Sequence, residues 1–315
     1  MSANAFHLVD GLRVSKFFHE DNVRSAMAYK PREGDIFVVG YPKSGTAWLQ
    51  RTVHSILNDG RPPKDDAESV VREAMLEVFG SQAAASLPRI GAIRCHLPFH
   101  MAPVTPAAKY VFICRNPYDV CVSFFHHTRR VPVYGFENGQ FSDFLTMFLD
   151  GRVDFGGYFE HLLSWSEHLN DPNVFMVTYE DLKADTRSVV LKIADFLGEA
   201  HGQRLRSNVA TLDSVMEAIS FNGMKDSERR ERGKSFYDRI LALPEDYVPK
   251  TLPNFSQGTG ADARKPLTGN LFRKGIVGDW RDHFSEGDVA RMKEWIAVKT
   301  GSSRVMELWK NIDLP

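Results

Sequence analysis

A short apolar segment that runs into a glycine-bounded loop is the feature that most constrains this chain. Ile36–Val39 is β-branched and aromatic, as in a buried strand, and Gly40 and Gly45 after it fit the G-x-x-x-x-G spacing of a phosphate loop. The residues that follow recur at the spacing of one helix face: Trp48, Leu49, Thr52, Val53, Ile56 and Leu57. A loop at a helix N-terminus offers unpaired N–H groups and the positive end of the helix dipole to an anion. The pattern therefore predicts a strand, a phosphate loop and a helix.

The loop differs from that of an ATPase in the residues after its second glycine. Thr46 and Ala47 stand where an ATPase has Lys-[Ser/Thr], so the hydroxyl that binds magnesium is absent. Lys43 lies inside the loop instead. A G-x-x-x-x-G match also occurs by chance, but the strand before it and the helix after it favour a phosphate site. The loop thus predicts a phosphorylated ligand that is held without the usual magnesium arrangement.

Strands and helices alternate along the rest of the chain. Further strands are predicted over 90–95, 109–114 and 173–178, and the helices have recognisable ends: Gly60–Pro63 and Gly198 as stops, Asn116 before Pro117 as a start, and Ser285 with Asp288 as a capping box. This alternation predicts one α/β domain over residues 1–315. Its doubly wound parallel sheet would be flanked by helices, with the ligand outside the carboxyl ends of the strands.

Four segments are less regular. Residues 1–34 lack a clean period and are predicted to be an irregular cover over the sheet, whereas 65–79 is expected to be a helix. Residues 222–265 are polar and weakly periodic, which is typical of a lid or a disordered connection. The aromatic-rich stretch 124–159 fits either ordinary core or the wall of an apolar pocket.

Composition limits the partners and the compartment. A net charge of −1 from 39 basic and 40 acidic residues gives no indication of a nucleic-acid or membrane partner. The 3 cysteines, Cys95, Cys114 and Cys121, have neither disulfide-like nor metal-like spacing, so no metal is expected and a reducing cytoplasm is the expected location. The N-terminus lacks a leader-like pattern and apolar runs are too short for a membrane span, so we expect a protein that is neither secreted nor Golgi-anchored.

Polar side chains follow the predicted strands at their carboxyl ends, where ligands bind in sheets of this architecture. Lys43 follows the first strand, His96 the second, Arg115 the third and Tyr179 the fourth. A Cys95–His96 nucleophile is excluded, because adjacent strand residues point to opposite faces.

In these segments the chain resembles the cytosolic sulfotransferases. Tyr41–Thr46 is similar to that family's 5′-phosphosulfate loop, Arg115–Ser123 to its 3′-phosphate segment and Arg273–Trp280 to its C-terminal signature. Shorter similarities occur in the same order at His96–Pro98, Tyr179–Asp181 and Ser220–Met224. The resemblance implies the sulfotransferase fold. It also implies an enzyme that moves the sulfuryl group of 3′-phosphoadenosine 5′-phosphosulfate (PAPS) to a hydroxyl or amine, and leaves 3′-phosphoadenosine 5′-phosphate (PAP).

The resemblance also implies roles for individual residues. Lys43 would neutralise charge on the bridging oxygen of the donor, and His96 would be the general base. Arg94 stands where the family usually has a lysine that contacts the transferred group, and Ala47 replaces a hydroxyl residue of the loop. The implied donor contacts are Lys43, Ser44, Gly45, Thr46, Ala47, Trp48, Arg115, Ser123, Tyr179, Ser220, Phe221, Met224, Arg273, Lys274 and Gly275. The implied pocket for the acceptor is lined by Phe18, Pro42, Met75, Phe124 and His127.

These similarities predict in-line transfer to a small-molecule acceptor: a phenol, a catechol or an aromatic monoamine. The alternatives are a P-loop-type nucleotide kinase, which would need a lysine after Gly45, and a nucleotide-binding relative without catalysis, if Arg94 and Ala47 disable the site. The family's dimer motif falls on Arg281–Ala290, where Glu286 and Ala290 depart from it. We therefore expect a monomer or a weak dimer.

Overall fold

The computed structural model describes residues 5–230, 236–249 and 273–315. Its strands are β1 (Phe6–Val9), β2 (Leu12–Ser15), β3 (Ile36–Val39), β4 (Ile93–Cys95), β5 (Lys109–Cys114) and β6 (Val174–Thr178). The last four form a 4-stranded parallel sheet in the order β4-β3-β5-β6. Because the strands are parallel, their carboxyl ends meet at one edge of the sheet.

Helices flank this sheet. The helices of the described residues are α1 (Glu20–Met27), α2 (Thr46–Leu57), α3 (Asp66–Arg72), α4 (Leu76–Ser86), α5 (Pro117–Arg130), α6 (Phe141–Leu149), α7 (Tyr158–Ser166), α8 (Tyr179–Ala184), α9 (Thr186–Leu197), α10 (Glu199–Ser207), α11 (Val209–Ala218), α12 (Phe221–Arg230), α13 (Phe236–Leu241) and α14 (Glu286–Thr300). None of them is both long enough and apolar enough to cross a bilayer.

Core residues lie on both faces of the sheet. Alternate residues of β3 and β5 belong to different apolar clusters: Phe37 and Phe112 to one, Val38 and Val111 to the other. Side chains of a strand alternate between its faces, so this division shows that helices cover the sheet on both sides. The predicted α/β architecture is confirmed.

The predicted strand over 109–114 is confirmed, as are the helix end at Gly198 and two helix starts. Asn116 caps α5, where Pro117 is the first helical residue, and Ser285 forms a capping box with Asp288 at the start of α14. The strand predicted over 90–95 begins only at Ile93.

The prediction of an irregular cover over 1–34 is wrong for the residues that the structure describes. β1 and β2 form an antiparallel hairpin in which Val9 is opposite Leu12. Its turn consists of Asp10 and Gly11, whose φ angles are 50° and 88°. An Asp-Gly pair between short strands is a strong hairpin signal because both turn residues need a positive φ. The helix α1 follows.

The helix predicted over 65–79 is present but interrupted, because α3 ends at Arg72 and α4 begins only at Leu76. The chain leaves the helical conformation between α3 and α4, where the backbone of Met75 forms a parallel bridge with Arg94 beside the sheet. The N–H group of Arg94 donates to the carbonyl of Ala74 at 2.9 Å. This pairing across the fold overrides the local helical preference.

The predictions for the polar stretch 222–265 and for the aromatic stretch 124–159 have different outcomes. In the region 222–265 the described residues are largely helical, in α12 and α13, whereas 231–235 and 250–265 lie outside the described residues. Most aromatic residues of 124–159 are buried in the core, and Phe124, Tyr134 and Phe155 also line a cavity at the carboxyl edge of the sheet. Both alternatives for that stretch therefore hold.

A buried histidine on α2 makes the stability of this fold depend on pH. The side chain of His54 is 2% exposed, and neither ring nitrogen has a hydrogen-bond partner among the described residues. Burial, together with the nearby Arg72 and Arg51, lowers the pKa of His54 to about 3. The folded protein therefore keeps this ring neutral at a pH where the unfolded chain binds a proton.

We predict that His54→Leu weakens the acid sensitivity of the fold. Below pH 6.5 the unfolded chain takes up a proton that the folded chain refuses, so the free energy of unfolding falls as the pH falls. At pH 5 this difference amounts to about 2 kcal/mol. Between pH 7.5 and pH 5, urea unfolding should show that the free energy of unfolding of His54→Leu falls by about that amount less than that of the parent protein. The values at pH 7.5 are the control for the effect of the substitution on packing. An unchanged loss would contradict the prediction.

Candidate active site

A cavity of about 1150 Å³ opens at the carboxyl edge of the parallel sheet. Residues that follow each strand line it: Lys43 after β3, His96 after β4, Arg115 after β5 and Tyr179 after β6. The structure thus brings together the side chains that the sequence places at successive strand ends.

The loop between β3 and α2 is folded for close contact between its backbone and a ligand. Lys43 and Gly45 have φ angles of 71° and 108°. A Cβ atom on Gly45 would lie 2.8 Å from the ring of Tyr179, and one on Gly40 would lie 2.5 Å from the carbonyl oxygen of Ile113. Gly45 is the N-cap of α2, no side chain caps that helix, and its first turn has no acidic residue. The first N–H groups of α2 therefore lack a side-chain cap, and no carboxylate of the first turn competes with an anion.

The other residues of this loop differ in whether they line the cavity. Thr46, Ala47 and Lys43 line the cavity. Ser44 does not; its side chain is fully buried, and its hydroxyl has no hydrogen-bond partner among the described residues.

The imidazole of His96 is oriented by the loop. Its Nδ1 lies 2.6 Å from the carbonyl oxygen of Gly40. A carbonyl only accepts, so Nδ1 carries the proton and donates, and Nε2 is the unprotonated basic nitrogen. The side chain is 7% exposed and lines the cavity.

A buried carboxyl group holds the backbone of His96. The N–H group of His96 donates to Oε1 of Glu77, a residue of α4 that is fully buried. Burial raises the pKa of Glu77. Glu77 occurs in an ordinary helical pattern, so no signal in the sequence indicates this role.

The same surroundings keep the His96 ring neutral. Burial lowers the pKa of His96 to about 3, and the positive charges of Arg94 and Lys43 act in the same direction, whereas the hydrogen bond to Gly40 raises it. The imidazole therefore has its lone pair available over the whole physiological pH range.

Arg94 lies beside His96 on the cavity wall. Its guanidinium donates to the carbonyl of Glu73 at 3.4 Å, and its Nε has no hydrogen-bond partner among the described residues. Burial lowers the pKa of Arg94. The Nε of Arg94 is therefore a buried donor that the described residues leave unsatisfied.

A second basic region borders the same cavity. Arg115 is 8% exposed, with its guanidinium 4.1 Å from the centre of the Tyr179 ring and 2.8 Å from the carbonyl of Ile276. Arg273, Lys274 and Ser123 also line the wall.

Buried carboxylates hold these basic groups in place. Asp279 pairs with Arg273, and Nζ of Lys274 lies 2.6 Å from Oδ1 of Asp279. Asp119 lies 3.4 Å from the guanidinium of Arg115 and accepts hydrogen bonds from the N–H groups of Gly278 at 2.8 Å and Trp280 at 3.1 Å. The start of α5 and the C-terminal segment are thereby joined around one cluster of positive charge.

Aromatic residues flank the space between the two basic regions. The rings of Trp48 and Tyr179 lie 5.5 Å apart, and Nε1 of Trp48 donates to the carbonyl of Ile219 at 3.0 Å. Phe221 and Met224 also line the cavity. Ser220 does not; its hydroxyl accepts a hydrogen bond from the N–H group of Gly223 at 3.0 Å and so starts α12.

The remaining wall is the one expected to face an acceptor. All five side chains expected there line the cavity: Phe18, Pro42, Met75, Phe124 and His127. Tyr134 and Phe155, which belong to the aromatic stretch 124–159, line it as well. Asp154 also lines it, and no motif of the sequence predicts this. No group of His, Cys, Asp and Glu side chains within the described ranges has the arrangement of a metal site.

Comparison with known proteins finds a matching family profile and similar sequences. The profile of the sulfotransferase domain matches residues 33–239. Sulfotransferase 2B1 of Mus musculus is 32% identical over 268 residues, which cover 81% of this chain and 68% of that protein. The amine sulfotransferase of Oryctolagus cuniculus is 30% identical over 262 residues, which cover 82% and 77%.

Comparison with solved structures also finds proteins that are similar to this chain. The crystal structure of mouse sulfotransferase SULT7A1, complexed with PAP, matches with a TM-score of 0.73 and 29% identity over 98% of this chain and 99% of that one. Retinol dehydratase, in complex with androsterone and PAP, matches with a TM-score of 0.67 and 25% identity over 93% and 88%.

Proposed function

The chain belongs to the sulfotransferase family, and we propose that it moves the sulfuryl group of PAPS to the hydroxyl of a small aromatic acceptor, by in-line transfer. One observation supports this proposal most directly. Two separate basic regions, the N-terminus of α2 with Lys43 and the cluster of Arg115, Arg273 and Lys274, border one cavity with the neutral imidazole of His96. That arrangement suits a donor that is phosphorylated at both ends.

The shape of the wall fits such a donor. Gly45 and Gly275 both have a positive φ, and a Cβ atom on either would lie 2.8 Å from an aromatic ring, that of Tyr179 or of Phe221. At both positions the backbone packs against a ring that borders the cavity, so any side chain there would displace that ring. The residues proposed to hold PAPS or PAP are Lys43, Gly45, Thr46, Ala47, Trp48, Arg115, Ser123, Tyr179, Phe221, Met224, Arg273, Lys274 and Gly275. The bound donor supplies the activated sulfuryl group, and PAP remains after its transfer.

The resemblance also implies Ser44 and Ser220 as donor contacts, but we do not propose that their side chains bind the donor. The side chain of Ser44 is buried behind the loop, so its backbone is the part that contributes there. Ser220 contributes by starting α12, which carries Phe221 and Met224.

Lys43 and Arg94 are the proposed electrostatic groups. The ammonium group of Lys43 compensates negative charge that develops near the loop, an effect that amounts to a few kcal/mol in comparable sites. Arg94 offers a planar fork to the transferred group, where a lysine would offer a point charge. Neither of them needs a bound metal ion for this role.

His96 is the proposed general base. Its Nε2 accepts the proton of the acceptor hydroxyl as that oxygen bonds to sulfur, and the carbonyl of Gly40 stabilises the charged ring through Nδ1–H.

The acceptor proposed here is a phenol, a catechol or an aromatic monoamine. Phe18, Phe124 and Phe155 give the cavity flat apolar walls next to His96. A nucleotide kinase fits less well, because Ala47 cannot supply the hydroxyl that binds magnesium. We further propose that residues 1–315 form one sulfotransferase domain, which acts in the cytoplasm as a monomer or weak dimer.

Gly45→Ala should abolish tight binding of PAP. The new methyl group would displace the Tyr179 ring and disturb the loop at the start of α2, so the dissociation constant should rise by at least about tenfold in isothermal titration calorimetry. Gly11→Ala is the matched control, since Gly11 also has a positive φ but a Cβ atom there would meet nothing within 4 Å. Equal affinities for the two variants would contradict the proposed phosphate loop.

His96→Ala should nearly abolish transfer of labelled sulfate from PAPS to a panel of phenols. Loss of a general base lowers kcat by about 10² to 10⁴-fold. The affinity for PAP, measured in parallel, should stay within about threefold of the parent protein because His96 is not proposed to hold the donor. If the variant keeps the parent kcat, the assignment of the base is wrong.

A further inference from the structure

Two histidines join α5 to the C-terminal segment beside the second basic region. The Nε2 atom of His126, on α5, lies 2.9 Å from Nε2 of His283, which lies between Trp280 and the start of α14. The two rings meet edge to face, with their centres 5.0 Å apart. Neither ring lines the cavity, so this contact is separate from the groups that are proposed to hold the donor.

Both rings are neutral at physiological pH. Burial lowers the pKa of His126 to about 4, and the second ring and three basic residues act in the same direction: Arg273, Arg129 and Lys274. Burial also lowers the pKa of His283, as do Arg273 and Lys274, whereas Asp282 raises it. The pair therefore adds no charge beside the basic cluster.

The carbonyl oxygen of Asp279 determines where the protons of this pair lie. It is 3.1 Å from Nδ1 of His283. A carbonyl only accepts, so Nδ1 of His283 carries the proton and Nε2 of this neutral ring is an acceptor. The Nε2–H group of His126 therefore donates to His283. A continuous chain of hydrogen bonds thus runs from α5 through two rings to the backbone of Asp279.

This chain ends at the residue that holds the basic cluster. The carboxylate of Asp279 pairs with Arg273 and lies 2.6 Å from Nζ of Lys274. The backbone carbonyl of the same residue is the group to which His283 donates. A displacement of Asp279 would therefore displace both basic side chains.

One face of α5 carries several contacts to this region. Asp119, Ser123 and His126 follow one another at the i, i+4 and i+7 spacing, so their side chains lie on one side of the helix. Asp119 accepts hydrogen bonds from the N–H groups of Gly278 and Trp280, and Ser123 lines the cavity. His126 is thus a second point, two turns beyond Asp119, at which α5 holds the C-terminal segment.

A neutral contact suits this position because a charged one would disturb the cluster. A carboxylate in place of either ring would compete with a phosphate for Arg273 and Lys274, and another cation would repel them. Two neutral rings hold the segment without either effect.

We propose that this histidine pair positions the side chains of Arg273 and Lys274 for the 3′-phosphate of the donor. The inference rests on the proposed function and adds two positioning residues to donor binding. The resemblance to the sulfotransferases implies neither histidine as a donor contact.

His126→Phe tests the proposal, because it keeps an aromatic ring and removes the N–H donor. Isothermal titration calorimetry compares PAP with 5′-AMP, which lacks only the 3′-phosphate. The dissociation constant of PAP should rise by at least about fivefold, whereas that of 5′-AMP should change by less than about twofold. A variant that only loosens the fold would weaken both ligands.

Two further variants and a control complete the test. His126→Gln places an amide N–H near the position of Nε2, so its dissociation constant for PAP should stay within about twofold of the parent value. His283→Asn keeps a donor for the Asp279 carbonyl but removes the acceptor for His126, so it should weaken PAP as His126→Phe does. His168→Phe removes a histidine contact elsewhere, at 2.9 Å from Asp171, and should leave both dissociation constants unchanged.

Three results would overturn the proposal. The first is that His126→Phe and His283→Asn bind PAP within about twofold of the parent protein. The second is that they weaken PAP and 5′-AMP equally. The third is that His126→Gln binds PAP as weakly as His126→Phe. If one variant does not fold, the other decides, since each interrupts the chain from a different side.

Transfer of labelled sulfate from PAPS to phenols separates this inference from the proposed function. If the parent protein transfers sulfate and the variants bind PAP as it does, the inference fails and the proposed function stands. If the affinity for PAP depends on His126 as predicted but no sulfate is transferred, the proposed function fails and the positioning role stands. If the parent protein does not bind PAP, both fail.

Discussion

The hydrogen bond between the Gly40 carbonyl and Nδ1 of His96, at 2.6 Å, is the interaction on which the candidate active site depends. It forms because β3 and β4 are parallel neighbours, with Val39 opposite Cys95, so that the residues just after both strands come together. This one contact leaves Nε2 as the unprotonated nitrogen and joins His96, the proposed base, to the loop that is proposed to bind the donor. A shift of the loop would therefore move His96 as well, so the distance between the proposed donor site and the proposed base would be kept.

Buried carboxyl groups position the rest of the site. Glu77 holds the backbone of His96, while Asp119 and Asp279 hold Arg115, Arg273 and Lys274. Removing one partner of such a buried pair leaves an uncompensated charge, so these groups depend strongly on one another. The basic side chains that are proposed to bind the donor are thus held in place by the protein itself.

The sequence predicts the parts of this protein that have local causes. The strand at Lys109–Cys114 and the caps at Asn116 and Ser285 follow from short patterns, and the resemblance to the cytosolic sulfotransferases is confirmed. What the sequence does not predict depends on contacts between distant residues. Met75 leaves the helix because it pairs beside Arg94, and Glu77 and Asp154 act on residues 19 and 139 positions away. The hairpin at Asp10–Gly11 does have a local signal, because an Asp-Gly pair between short strands is typical of a two-residue turn.

The central claim is that one cavity holds a ligand phosphorylated at both ends without magnesium, and ligand-induced stabilisation tests it most directly. PAP, 5′-AMP and Mg-ATP are compared in thermal unfolding of the whole protein with EDTA present for the first two. At 100 times its dissociation constant PAP should raise the free energy of unfolding by about 2.7 kcal/mol. At the same concentration 5′-AMP, which lacks only the 3′-phosphate, and Mg-ATP should stabilise clearly less. Stabilisation by Mg-ATP but not by PAP would contradict the account.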